Sequence, residues 1–503
     1  MKKSTILHTS IAAIPVLLLI GLLALDISIF GSDSILGASQ VSLLVSAGVC
    51  VWLSMWIYKT PWEAFEKEMK GNIGDVTTAI VILFLIGAIS GTWTMSGIVP
   101  TFIYYGVKII SPRFFLLTAC VICALVSIMI GSSWTTIATI GIALMGIGKA
   151  QGFSEGMIAG AIISGAYFGD KMSPLSDTTV MASSINKVPL FTHIRYMMVT
   201  TVPSICIALI LFTILGLSHS PSDNSVITQY TSALSDTFNI TPWVLIVPVL
   251  TAVMIARKMP ALIVLALSTM LAAVAALIFQ PDIIHTIGLK LVDGPRSKVL
   301  FAGVVETIYN SVTLETGNPE VNELVSSRGM LGMLNTVYLI ICAMCFGGCL
   351  KASGMIGRIT SLFTPLTRSR AGLVGCTVFT GSALNGIVSD QYLSIILTSN
   401  VFGDIYKDRG YEEKLLSRSV EDSATVTSPL YPWSSCGMTQ ATILSVPTLT
   451  YLPFCFFNMI SPIMSFLVAV IGYKITKKGT LEGGSPVPVP SAPKEQKPRG
   501  VAR

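Results

Sequence analysis

Charge is what this sequence has least of. Asp, Glu, Lys and Arg make up 12% of its 503 residues, against about 25% in an ordinary soluble domain. With 52% hydrophobic residues and a mean hydropathy of +0.74, a soluble globular class is excluded and the chain reads as a membrane protein. Histidine is scarce too: His8, His193, His219 and His285 are scattered and offer no cluster for a metal centre. The sequence contains neither HExxH nor a serine elbow, so hydrolytic chemistry has no starting point. The net charge of +6 belongs to the loops and tails of a membrane protein and does not imply nucleic acid.

Two further absences set the topology. Residues 26–40 and 218–240 hold no Lys or Arg, whereas Lys59, Lys67, Lys70, Arg358, Arg368, Arg370 and Lys474 gather in other loops and tails. By the positive-inside rule both termini are expected in the cytoplasm. None of the ten cysteines lies in 26–40, 218–240 or 281–334, the stretches placed outside, so no structural disulfide is implied. Cys120 with Cys123, and Cys342 with Cys345, form C-x-x-C spacings inside apolar helix and read as packing.

Present in quantity are apolar runs, for example 41–57, 242–256, 261–279 and 453–473. A hydrocarbon core of about 30 Å needs roughly 20 such residues per crossing. The expected fold is an all-α polytopic membrane protein with about 11 to 13 transmembrane segments, some of them broken. The N-terminal run lacks an A-x-A-like site and reads as a retained first helix. Trp52, Trp56, Tyr58 and Trp62 suit an aromatic belt, and 61–70 an interfacial segment.

The chain also resembles itself. In 76–217, Gly91 and Gly97 precede GSSWTT (131–136), then Ser173-Pro174-Leu175 and a long closing helix. In 335–474, Gly348 and Gly354 precede GSALNG (381–386), then Ser428-Pro429-Leu430 and another closing helix. On the charge assignment the two copies run in opposite senses. That organisation, an inverted-repeat secondary transporter with discontinuous helices and re-entrant hairpins, places its site near the bilayer midplane. The expected division is 1–75 (two helices and the interfacial segment), 76–217 (first repeat), 218–334 (linker with two helices and a polar outer stretch), 335–474 (second repeat) and a disordered tail, 475–503.

Polarity is concentrated in GDKMSPLSDTT, residues 169–179. Pro174 must break a helix near Met172 and Ser173 and free main-chain carbonyls. Asp170, Ser173, Ser176, Asp177, Thr178 and Thr179 add oxygen donors suited to Na⁺ or, at the carboxylates, a proton. A plain surface loop is the bland alternative, but the flanking runs are too short for two independent crossings. GDKMSPLSDTT, preceded by AGAIISGAYF, resembles the signature of the NhaC family of bacterial Na⁺/H⁺ antiporters. The resemblance extends through length, hydropathy and EDSATVTSPLYPW (421–433). It implies cation/proton exchange in the bacterial cytoplasmic membrane, with no cofactor and with Na⁺ and H⁺ as the transported ligands. One branch of that family exchanges malate against lactate with the same coupling ions, so an organic anion stays open as cargo.

The second half offers its own polar break at 420–437. Asp422, Ser423 and Thr425 are expected to complete the ion and proton site, with Na⁺ itself on Asp170, Asp177 and Thr178. Glu421 is placed in the cavity lining, its alternative being a helix-start charge at the edge of an aqueous segment, KDRGYEEKLLSRS. GSSWTT and GSALNGIVSDQ read as re-entrant tips, with Ser132, Ser133, Thr135, Ser382, Asn385 and Asp390 as lining residues. Lys171 is either a counter-charge for Asp170 or Asp177 or a snorkelling side chain. Glu155 reads as a helix cap. YFGD (167–170) superficially matches an intramembrane protease motif, but Tyr167 stands where that motif needs Gly and no Tyr-Asp companion exists. A channel would lack the fixed coupling that two inverted, ionisable breaks favour. The absence of an evident Arg to clamp a carboxylate leans towards simple cation exchange.

Overall fold

The computed structural model describes residues 3–30, 37–218, 224–257, 259–360 and 367–475. The expected disordered tail lies outside these residues, apart from its first position. Among the described residues the secondary structure is helical apart from isolated bridge positions, of which Val312 and Ser327 pair antiparallel.

Seven of these helices are long and apolar enough to cross a bilayer, and three bent pairs, with angles of 67°, 87° and 56°, bring the number to as many as 10. Two further helices of 18 residues, Glu155–Met172 and Gln391–Asp408, fall short of apolarity because each carries charged residues, Asp170 and Lys171 among them. The helices that hold polar chemistry are thus the ones hydropathy alone passes over. Outward faces are apolar: on Phe115–Ile130, Val121, Leu125 and Met129 are exposed at intervals of four, while Cys120, Cys123 and Ser127 are buried. Such faces suit lipid, which has no water to satisfy an open backbone.

The order of elements repeats. Thr77–Met95 and Ile98–Ile109 meet at Gly97 (φ 84), as Leu334–Ala352 and Met355–Thr360 meet beside Gly354 (φ 64). Next comes a helix ended by a left-handed residue, Phe115–Ile130 with Gly131 (φ 72) and Arg370–Val388 with Ser389 (φ 63). Each half then has a polar helix broken at Ser-Pro-Leu, a short helix beyond it (Asp177–Ile185; Ser435–Leu444), and a closing helix (Leu190–Ser218; Phe456–Ile471).

The halves exchange contacts reciprocally. Asp177–Ile185 packs on Gln391–Asp408 of the other half, and Ser435–Leu444 packs on the segment Ile137–Gly141. The closing helices pack on each other, Glu155–Met172 lies against Phe456–Ile471, and Glu413–Val420 lies against Leu190–Ser218. Each broken helix is therefore held by the opposite half.

Two peripheral segments pack onto the helices of the two halves. Trp62–Asp75 packs along Leu334–Ala352, with Phe65 fully buried, Asn72 Nδ2 donating to the Met344 carbonyl at 3.3 Å and Lys351 paired with Glu68 at 2.7 Å. The polar stretch 281–334 includes Pro281–Leu289 and Arg296–Tyr309, which pack together, the second also against Thr77–Met95.

Candidate functional site

Small residues decide how deep the first polar break sits. Along Glu155–Met172, Gly165 abuts the Cys120 carbonyl and Gly169 the Ala124 carbonyl of Phe115–Ile130, so the two backbones nearly touch. Asp170 and Lys171, at the end of that helix, are carried inside with it. Pro174 stops the helix as expected: Ser173 is extended (φ −82, ψ 131), and Ser176 caps Asp177–Ile185 by accepting from Thr179 N at 3.4 Å. The freed carbonyls find local donors. Thr179 Oγ1 donates to the Lys171 carbonyl at 3.0 Å, and Ser173 Oγ donates to Ile128 at 2.8 Å.

Asp170 meets the GSSWTT segment. Its Oδ2 accepts from Ser133 N at 3.1 Å and from Ser133 Oγ at 2.7 Å. Gly131 takes the left-handed turn, Ser132 caps the following helix, and the Ser133 N–H at its start points at the carboxylate. Ser132 Oγ accepts from Thr135 N and Oγ1, at 3.2 and 3.1 Å, so these two hydroxyls serve the cap.

The second break has a different local form. Glu413–Val420 widens into a π turn over Glu421–Thr425, followed by a short 3₁₀ turn at Ser428–Leu430. A π turn inside an α-helix often marks a functional position. Here it places neighbouring acids in different surroundings. Asp422 receives the Lys171 ammonium in a direct ion pair, both side chains having no exposure. The same carboxylate accepts from Thr200 Oγ1 at 3.0 Å and Ser461 Oγ at 3.5 Å, with Arg418 Nε 3.7 Å from its other oxygen. Glu421 is equally buried, yet neither of its oxygens has a hydrogen-bond partner among the described residues. The hydroxyls of Thr425 and Thr178 lie beside it, with Asp170 and Lys171 the adjacent charges.

These contacts correct several expectations. Lys171 neither snorkels nor pairs with Asp170 or Asp177; its partner is Asp422 of the other half. The stretch before Glu421 is not aqueous throughout, because Ser417, Arg418 and Ser419 are fully buried behind Leu415 and Leu416. A buried arginine is therefore present after all, stacked 4.6 Å over the Tyr196 ring. GSALNG is not a tip. Gly381 to Gly386 lie inside Arg370–Val388, and the break falls at Ser389, after which Asp390 caps the next helix by accepting from Leu393 N at 2.9 Å. An aspartate is the stronger N-cap, while Gly and Ser are tolerated within a packed membrane helix.

The remaining expected residues divide. Asp177 is exposed at the first turn of its helix, while Thr178 and Thr179 are buried. Ser423 Oγ donates back to the Ser419 carbonyl at 2.8 Å, whereas Thr425 Oγ1 is buried without a partner among the described residues. Asn385 donates to the Ala424 carbonyl at 2.6 Å and to Thr427 at 3.0 Å, bracing the π turn; Ser382 is half-buried on the same helix. Glu155 opens its helix and pairs with Lys149 at 2.5 Å. Arg418, Thr200, Ser461 and Tyr196 escaped the sequence reading. Arg418 had a signal, standing four residues before Asp422 on a helix that also carries Leu415, Leu416 and Val420; Thr200 and Ser461 are hydroxyls in apolar helices and had none.

Comparison with known proteins places this geometry. Residues 165–473 match the model of the Na⁺/H⁺ antiporter family. The Na⁺/H⁺ antiporter NhaC of Bacillus subtilis is 35% identical over 434 residues, covering 86% of this chain and 92% of that one. NhaC of Alkalihalophilus pseudofirmus is 36% identical over 84% of this chain and 87% of its own. A malate-2H⁺/Na⁺-lactate antiporter of Bacillus subtilis is also 35% identical, over 88% and 92%.

Proposed function

The chain belongs to the Na⁺/H⁺ antiporter family, and from that premise we propose that it is a secondary antiporter exchanging cytoplasmic Na⁺ for external H⁺ by alternating access. The observation that carries the reading is the meeting of two polar helix breaks, one from each half, around buried carboxylates: Asp170 from the first, Glu421 and Asp422 from the second. Carboxylates and hydroxyls held in low dielectric take either a hard cation or a proton, and competition between the two is the minimal chemistry of exchange. Na⁺ binds the deprotonated site from the cytoplasm. Movement of one half against the other re-exposes it, and protonation outside releases the ion. The halves are inverted copies, both termini are cytoplasmic and the membrane is the bacterial inner membrane; the charge pattern and the repeated element order support this arrangement.

A second reading is Na⁺- and H⁺-coupled carboxylate exchange. Two observations favour it: the kinship with a malate/lactate antiporter, and the buried Arg418, whose guanidinium nitrogens make no hydrogen bond among the described residues. An arginine fork is suited to a carboxylate. Vesicles containing the purified protein and a pH-reporting dye distinguish the readings. Proton flux driven by Na⁺ alone supports cation exchange; flux only once malate or lactate is added supports the second; no flux under either condition rejects both.

A further inference from the structure

Where the two broken helices meet lie Lys171, Arg418, Asp422 and Glu421 at 0% exposure and Asp170 at 6%; Asp390, also buried, is bonded to Leu393 N and Ser435 Oγ. Charge counting inside a low-dielectric enclave is strict, because an unbalanced charge there is costly. Asp422 lies between both cations. Asp170 receives an amide and a hydroxyl from Ser133 at a helix start. Asp422 and Asp170 thus each have donors of their own. Glu421 has no hydrogen-bond donor on either oxygen among the described residues, which leaves both oxygens open to a cation.

We propose that Glu421 and Asp170 form a single monovalent-cation site, completed by the hydroxyls of Thr178 and Thr425, in which Glu421 is the carboxylate that takes Na⁺ or a proton in turn. Asp422, expected to complete the ion and proton site, is instead the counter-ion of Lys171. The proposal rests on the antiporter reading and names its exchanging group. Thr425 Oγ1 is a second buried, unpartnered oxygen beside Glu421, and Na⁺ accepts hydroxyl and carboxylate ligands together. Asp170 and Thr178 belong to one half and Glu421 and Thr425 to the other. An ion bound between them draws the halves together.

The ionisable groups near Glu421 are few. Asp170 and Lys171 face it from Glu155–Met172; Thr178, from Asp177–Ile185, does not titrate. Leu190–Ser218 brings His193, which shares a hydrogen bond with Ser417 through Nδ1, and Tyr196 against Arg418. Gln391–Asp408 brings Tyr406, bonded to Thr377 at 3.1 Å, and Tyr392, which lies near Asp170, Asp177 and Asp390.

The test is equilibrium binding of radiolabelled Na⁺ to the purified full-length chain over a range of pH, beside vesicle flux. The wild type is expected to bind one Na⁺ per chain in competition with protons. Glu421→Gln should weaken binding at least about tenfold and remove the proton competition, and Thr425→Val should weaken binding while leaving that competition in place. Wild-type affinity and pH dependence in Glu421→Gln would overturn the proposal. If that variant does not fold, unchanged affinity in Thr425→Val overturns it instead. Failure of the antiporter reading looks different: the wild type would move no protons on Na⁺ alone, whatever Glu421 does to binding.

Discussion

Lys171 of the first half is ion-paired with Asp422 of the second, and neither side chain has any exposure to solvent. The pair bridges the two broken helices at the point where their ends meet. Removing one member of such a buried pair strands the other and costs about 3–5 kcal/mol, whereas removing both together costs much less. Lys171→Met and Asp422→Asn should therefore each lower the thermal unfolding midpoint in detergent, and the double variant should recover most of the loss. Additive losses would mean that the two charges do not interact.

The structure separates two aspartates that sequence reasoning treated as equals. Asp170 is buried and bonded to Ser133, while Asp177 is exposed at the start of its helix. Asp170→Asn should abolish Na⁺-driven proton flux in vesicles. Asp177→Asn should keep the flux and change chiefly the Na⁺ concentration at half-maximal rate. Equal loss in both variants would place Asp177 in the binding site and reject this division.

Much of this was legible beforehand, for physical reasons that differ by element. Pro174 and Pro429 announce helix breaks because proline cannot continue a helix, and hydropathy finds the lipid-facing spans because lipid demands apolar faces. What escaped was long-range pairing. Nothing in the local sequence tells that Lys171 reaches Asp422 across 251 positions. Arg418 was misjudged because KDRGYEEKLLSRS is charged on average; its apolar Leu415, Leu416 and Val420 face the protein and draw the arginine in with them. The tip at Ser389 was misplaced because Gly and Ser do double duty, as turn formers in water and as packing residues in membrane helices.

Ser133 gives Asp170 both a main-chain and a side-chain donor. Ser133→Ala keeps the amide and deletes the hydroxyl. A hydrogen bond to a charged group contributes about 1.5–3 kcal/mol, so Na⁺ affinity should change by roughly tenfold or more. Direct Na⁺ binding measures this without depending on transport rate. Wild-type affinity in the variant would mean that Asp170 takes no part in holding the ion.

The depth of the whole site depends on glycine. At Gly165 a Cβ would collide with the Cys120 carbonyl, and at Gly169 with the Ala124 carbonyl and the Ser127 side chain. A backbone oxygen cannot swing aside as a side chain can, so Gly165→Val must push Glu155–Met172 away from Phe115–Ile130. Asp170 would then be drawn off Ser133, and Lys171 off Asp422. The expected outcome is a large loss of monodisperse protein on size exclusion, with weakened Na⁺ binding in whatever remains folded. Gly71, which has open space around it, provides the control: alanine there should preserve yield and binding, and raise helix stability by up to about 1 kcal/mol. If Gly165→Val behaved like Gly71→Ala, close packing of these two helices would not be what positions the carboxylate.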